Sequence, residues 1–177
     1  MRSKSAPLCA LILLLAGACA AHAETAATPG ALFADADLHF QKGEYETALT
    51  GYRAVIERFP NDWHATQARF TEGFILQKKM GKLKQAREAF QHVAEKETSP
   101  ALTGNALFHI ASVDEKSGDT DRAMQGFTEV LKRGKFGREK NATRRLALLR
   151  AFKSGKKEPP PGWAQGLTKR WWRKRMR

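Results

Sequence analysis

Apolar and small residues recur along the middle of the chain in three blocks that follow one another at a nearly constant distance. Each block starts with a glycine, has an alanine five residues later and has an aromatic residue four positions after that. The three glycines, Gly43, Gly81 and Gly118, are 38 and 37 residues apart. Upstream of each glycine, a phenylalanine precedes a small residue by three positions: Phe33 with Ala36, Phe70 with Gly73, and Phe108 with Ala111. A joint pattern at a fixed period predicts repeated structural units.

Each unit is predicted to be a hairpin of two helices. The second helix of the first unit carries one apolar face at the helical 3–4 spacing, formed by Tyr45, Ala48, Leu49, Tyr52, Val55, Ile56 and Phe59. The glycine suits the end of the first helix, and Asp119 suits the N-cap of a second helix. Small residues at one position of each second helix predict close helix contacts: Ala48, Ala86 and Ala123.

Helix breakers place the boundaries of the units. Pro60 closes the first unit, and Ser99 followed by Pro100 predicts the start of the third. These signals predict three repeats over residues 31–137, with bounds 31–60, 63–98 and 100–134. A further helix over 138–153 is predicted to cap the stack with one apolar face, formed by Ala142, Leu146, Leu149 and Phe152.

The glycine before the second helix and the residues Tyr45, Ala48, Tyr52 and Pro60 together resemble the tetratricopeptide repeat. The resemblance covers about residues 31–134. It implies an all-α fold, a right-handed α-solenoid of about three helical hairpins followed by the capping helix. Among exported proteins, the chain is most similar to the repeat domain of the periplasmic Tol–Pal-associated cell-division coordinator. It also resembles the repeat lipoproteins of the outer-membrane barrel-assembly machinery.

Stacked hairpins of this kind present a concave surface lined by their first helices. The resemblance places the groove of this surface at Phe33, Asp37, Phe40 and Gln41, at Gln67, Phe70, Thr71 and Phe74, and at Asn105, Phe108, His109 and Ser112. The row of phenylalanines favours an apolar or aromatic peptide over a peptide carboxylate. The alternative is that these rings only pack between the helices.

The N-terminal sequence predicts export. Arg2 and Lys4 precede an apolar run of 11 residues, 8–18, and small residues then stand at 21 and 23. This is typical of a secretory signal over residues 1–23, cleaved before Glu24, followed by a linker over 24–30. Two alternatives are a buried N-terminal helix and a lipoprotein anchored at Cys19. Because both cysteines lie in the signal, the sequence excludes a disulfide scaffold or a cysteine zinc site in the exported domain.

The net charge of +13 is concentrated in the C-terminal tail, residues 154–177. From Lys153 onward there are nine basic residues and one acidic residue, and six of the basic residues follow a proline-rich spacer. The residues expected to act there are Trp163, Lys169, Arg170, Trp171, Trp172, Arg173, Lys174 and Arg175. They predict contact with an anionic membrane or envelope polymer. The alternatives are a disordered solubilising terminus and docking onto a protein partner or the chain's own body. Export argues against nucleic acid.

No pattern typical of a catalytic, cofactor or metal site is found. The sequence has no HExxH and no GxSxG motif, and no two of its histidines stand at helical ligand spacing. The predicted function is therefore that of a non-enzymatic periplasmic or envelope adaptor, which holds a protein or peptide partner in its groove. The alternative is an envelope surface-binding protein that acts through its tail. The partner and the oligomeric state are left open.

Overall fold

The structure is a computed structural model that describes residues 28–96, 99–134 and 137–155. The predicted signal peptide, and the tail from 156 onward with all of its tryptophans and the basic residues named above, lie outside the described residues. Helices account for nearly all of the described chain. They are α1 (Pro29–Lys42), α2 (Tyr45–Arg58), α3 (Trp63–Ile75), α4 (Leu83–Lys96), α5 (Pro100–Lys116), α6 (Thr120–Arg133) and α7 (Glu139–Lys153).

The helices pack in the order in which they follow one another along the chain. The hairpins are α1–α2, α3–α4 and α5–α6, and each second helix also packs against the first helix of the next hairpin. Helix α7 packs against α6 at the C-terminal end. This confirms the predicted all-α solenoid with a capping helix. Across the three described segments, no helix is both long and apolar enough to cross a membrane.

Local signals in the sequence set the ends of these helices. The side chains of Thr28, Asp62 and Asp119 each accept a hydrogen bond from a backbone N–H in the first turn of a helix. At the other end of the first helices, Gly43 and Gly81 have φ angles of 82° and 68°, in the left-handed region that side chains disfavour. The predicted cap at Asp119 and the predicted helix-ending glycines are therefore confirmed.

The helices of the outer two hairpins approach each other very closely. A Cβ atom added to Gly51 in α2 would lie 2.8 Å from the Cβ of Ala36 in α1. In the third hairpin, a Cβ on Gly126 would lie 2.7 Å from the Cβ of Ala111. Real Cβ atoms do not approach so closely, so glycine is required at these two crossings. The predicted alanines Ala48, Ala86 and Ala123 are fully buried as well.

The middle hairpin has one residue more than the other two between the small residue of its first helix and the glycine that follows that helix. Ala36 precedes its glycine by seven residues, as Ala111 does, whereas Gly73 precedes Gly81 by eight. The structure places this residue in a π-helical turn, Leu76–Met80, at the end of α3. A π turn has i→i+5 hydrogen bonds, so it takes in the extra residue and keeps the flanking helix in register. We refer to this segment as the π turn.

The capping helix follows the prediction except at its last apolar residue. Ala142, Leu146 and Leu149 are buried in a cluster with residues of α5 and α6. Phe152 was expected on the same face, but it packs with Leu148 and Ala151 in a separate cluster. On α7, Phe152 lies between the face formed by Ala142, Leu146 and Leu149 and the face formed by Leu148 and Ala151, and it packs with the latter. The prediction for Phe152 was therefore wrong.

Candidate functional site

The first helices α1, α3 and α5 lie side by side, and we call the surface they form the first-helix face. Ring contacts connect neighbouring first helices, and two of them involve Phe74: Phe40 of α1 lies 6.4 Å from Phe74 of α3, and Phe74 lies 5.9 Å from His109 of α5, between ring centroids. Both contacts are edge-to-face, a favoured arrangement of aromatic rings. Three predicted groove residues, one from each hairpin, are thus brought into a single row.

Three other predicted residues pack inside the hairpins. Each first helix directs one phenylalanine onto the aromatic residue of its own second helix. The ring centroids are 5.5, 5.4 and 5.5 Å apart, for Phe33 with Tyr52, Phe70 with Phe90, and Phe108 with Phe127. This contact repeats in all three hairpins, so it belongs to the packing of the repeat. The half-buried edges of the three phenylalanines still border the first-helix face.

The polar residues predicted for the groove are partly used within the protein. Asp37 accepts a hydrogen bond from the hydroxyl of Tyr52, and Asn105 accepts one from the guanidinium of Arg138. Burial, together with the bond to Asp37, raises the pKa of Tyr52, so its hydroxyl stays protonated as a donor. Gln67 is half-buried on α3. Asp37 and Asn105 therefore hold neighbouring side chains in place.

His109 is buried, with 6% of its surface exposed. It stacks on Phe90 at 4.8 Å between ring centroids. Its Nδ1 atom lies 2.9 Å from the side-chain oxygen of Gln77, in the π turn. Burial, with the nearby charges of Lys78, Arg138 and Lys116, lowers the pKa of His109 to about 4. The imidazole is thus neutral at physiological pH and donates to Gln77.

Four cations gather beside this histidine, and we call Lys78, Lys116, Arg138 and Arg145 the basic cluster. The Nζ atom of Lys116 lies 3.3 Å from the backbone oxygen of Gln77. The guanidinium of Arg138 lies 5.6 Å from the ring centroid of Phe108. Burial, followed by the charges of Lys116, Arg145 and Arg138, lowers the pKa of Lys78. The first-helix face therefore carries both aromatic rings and positive charge.

The basic cluster was missed in the sequence because its members come from three separate elements. Lys78 lies in the π turn, Lys116 ends α5, and Arg138 and Arg145 belong to the start and the body of α7. One signal was present, since lysines stand just before the helix-ending glycines at 42, 78, 79 and 116. Cations are favoured there because the C-terminal end of a helix carries partial negative charge.

Ion pairs fix each hairpin to the next element. Each pair joins a half-exposed arginine to a mostly buried carboxylate at 2.8–2.9 Å: Arg53 with Glu72, Arg87 with Asp114, and Arg145 with Glu115. Removal of one partner from such a buried pair is costly, because the remaining charge loses its main compensation. These carboxylates are therefore structural, and they do not form a pair poised for acid–base chemistry.

In the part of the chain that the structure describes, no group of three or more His, Cys, Asp or Glu side chains could hold a metal ion. Two of the histidines found there contact neighbouring carboxylates. His39 lies 2.5 Å from Glu44, and His64 lies 2.6 Å from Asp62 and stacks beside Trp63.

Comparison with known proteins agrees with the repeat architecture. A family profile described as the TT21 fifth ARM repeats domain matches residues 31–149, about two thirds of the chain. The match covers the three hairpins and most of the capping helix. No curated protein matches the sequence. Domains built from helical repeats generally bind other proteins on their extended surfaces. The chain belongs to the TT21 fifth ARM repeats domain family and is a helical-repeat protein.

Proposed function

We propose that the chain is a non-enzymatic adaptor of the cell envelope that holds a protein partner on its first-helix face. The observation that carries the proposal is the contact between the half-buried rings of Phe40 and Phe74 on neighbouring first helices, with the buried His109 of the third in contact with Phe74. A surface that offers apolar edges and charges along several repeats suits an extended or helical segment of another protein. Such a surface has no need of a catalytic group.

The finer parts of the proposal rest on the sequence. Two helices per unit and the residues Tyr45, Ala48, Tyr52 and Pro60 support repeats of the tetratricopeptide type. The basic, apolar and small-residue segments before Glu24 support export, with the lipoprotein anchored at Cys19 as the alternative. A role like that of the periplasmic Tol–Pal-associated coordinator is the most specific form of the proposal.

A matched pair of variants tests the first-helix face. Gln67→Trp with Thr71→Trp adds bulk to α3 of this face, whereas Gln85→Trp with Gln125→Trp adds the same bulk to exposed positions on the second helices. In affinity capture from an envelope extract, we expect the first pair to lose the partner and the second pair to retain it. Loss with the second pair alone would move the binding surface to the second helices.

The second candidate function, surface binding through the tail, is favoured by the nine basic residues and three tryptophans after Phe152. Deletion of residues 156–177 in the same capture distinguishes it. If the tail carries the function, the deletion abolishes capture, and the tryptophan variants on α3 do not. Sedimentation of the full chain with anionic vesicles, and its release at high salt, would then identify the surface as a membrane.

A further inference from the structure

The basic cluster carries more positive charge than the described chain around it neutralises. Among the described residues, the ion pair that includes a member of the cluster joins Arg145 to Glu115, with 2.8 Å between Nε and Oε2. Arg138 donates to the neutral amide of Asn105, and Lys116 donates to a backbone carbonyl. Within the described residues, Lys78 forms no ion pair. Ion pairs between described residues thus engage one of the four cations of the cluster.

This charge has a cost in the unliganded protein. The pKa of Lys78 is lowered first by burial and then by three like charges of the cluster, so each cation destabilises the others. An anion bound among them would remove that repulsion and add charge-assisted hydrogen bonds. Two contacts place the cations together independently of that pKa. The Nζ of Lys116 lies 3.3 Å from the backbone oxygen of Gln77, next to Lys78. Arg145 pairs with Glu115, next to Lys116. The cluster therefore favours a negatively charged ligand.

Apolar surface lies directly beside the cations. The half-buried ring of Phe108 lies under the guanidinium of Arg138. Phe74, also half-buried, contacts His109, which in turn contacts Gln77 beside Lys78 and Lys116. A uniform polyanion would pair with the cations but leave both rings uncovered. A peptide that places acidic residues next to an apolar one would cover both.

The π turn gives the cluster its arrangement. Gln77 is buried at 2% exposure and holds His109, whereas the next residue, Lys78, is exposed. In the π turn, the buried side chain that contacts His109 is thus followed directly by an exposed lysine. π turns are frequently found at functional sites.

We propose that the basic cluster, with Phe74 and Phe108, binds an acidic segment of a partner protein through side-chain carboxylates that flank an apolar residue. This inference rests on the proposed function and names the chemistry of the partner. The ligand groups are side-chain carboxylates, so a free chain terminus is not required. Complementary charge would raise the association rate, and the ring contacts would select the apolar residue.

The test uses the full chain and a short labelled peptide in which glutamates flank phenylalanine, with an amidated C-terminus. Fluorescence anisotropy measures its affinity at low and physiological salt. We expect Lys78→Glu with Lys116→Glu to weaken binding by about tenfold or more, because two attractive charges become repulsive. The matched control, Lys84→Glu with Lys132→Glu, changes the net charge equally on the second helices and should weaken binding by less than about twofold.

Three further arms make the result specific. Lys78→Gln with Lys116→Gln removes the charges without reversing them, and circular dichroism checks the fold of every variant. A peptide with glutamine in place of glutamate should bind at least about tenfold more weakly. Phe74→Leu should leave the binding of inorganic polyphosphate unchanged, whereas it should weaken the binding of the peptide. All variants retain the basic tail, so its attraction is the same throughout.

Equal losses in the cluster variant and the matched control would overturn the inference, because the attraction would then be general. So would a folded wild-type chain that binds polyphosphate but not the peptide, or that binds neither. The capture experiment tests the adaptor function independently of these peptide-binding results. If the cluster variants still capture the partner while the tryptophan variants of α3 do not, the first-helix face binds it by other chemistry. If α3 variants capture it too, the proposed function itself fails.

Discussion

Replacement of Gly126 by alanine is expected to destabilise the protein by about 1–3 kcal/mol, the usual cost of overpacking a core. The new Cβ would lie 2.7 Å from the Cβ of Ala111, at the crossing of α5 and α6. Without that contact, alanine would stabilise a helix interior relative to glycine by up to about 1 kcal/mol. Chemical denaturation measures the change in unfolding free energy. A decrease would show that α5 and α6 approach closely at Gly126, and an increase would show that they do not.

The middle hairpin suggests the compensating change. It has glycine at the first-helix position, Gly73, and alanine at the second-helix position, Ala89. Ala111→Gly in the Gly126→Ala background gives the third hairpin the same pair, so it should recover most of the lost stability. Gln125→Ala, at the exposed neighbouring position, should change stability by less than about 0.5 kcal/mol. Stabilisation by Gly126→Ala alone would contradict this crossing.

The second large effect concerns His109 and pH. Its pKa is about 4 in the folded protein, against an ordinary value of 6.5. Between these values the unfolded chain binds more protons than the folded one. The stability that neutral His109 provides is thus fully present above about pH 6.5 and is lost as the pH falls toward 4. Between pH 7 and pH 5, we expect a loss of about 2 kcal/mol from this residue.

Denaturation of the wild type and of His109→Gln at several pH values measures this loss. The glutamine cannot titrate, so the variant should lose about 2 kcal/mol less than the wild type between pH 7 and pH 5. Other histidines and carboxylates are the same in both proteins, and their contributions cancel in the comparison. Parallel stability curves would show that His109 is not held neutral by its burial.

The repeats could be predicted from the sequence because each hairpin obeys the same local rules. Gly43, Gly81 and Gly118 end their first helices because the left-handed conformation favours glycine wherever it occurs. Ala48 and its equivalents are buried because they recur on one helical face. These rules depend on sequence spacing alone. The pattern therefore reached the correct fold class without any knowledge of contacts between distant residues.

The extra residue of the middle hairpin could have been recognised from the same spacing. The interval from Gly73 to Gly81 is one residue longer than its two counterparts. A one-residue insertion can be accommodated in a loop or within a helix, and spacing alone does not distinguish these outcomes. Packing decides between them, because Gln77 reaches His109 of the next hairpin at 2.9 Å only when the insertion lies in the helix.

The candidate site was predicted only in part, for a related reason. Phe40, Phe74 and His109 were named because the family resemblance assigns residues of each first helix to the groove. Arg138 and Arg145 were not, because the capping helix is outside the repeat pattern and brings them near Lys78 only in the folded chain. Positions that depend on contacts between non-equivalent elements are not encoded in a periodic signal.

Site-specific photo-crosslinking in the native envelope tests the central claim most directly, namely that a protein partner lies on the first-helix face. A photoreactive residue at Thr71 of α3 samples this face, and one at the exposed Gln125 of α6 samples the second helices. We expect a discrete crosslinked partner at Thr71, reduced in the Lys78→Glu with Lys116→Glu variant, and none at Gln125. A partner crosslinked at Gln125 and absent at Thr71 would contradict it.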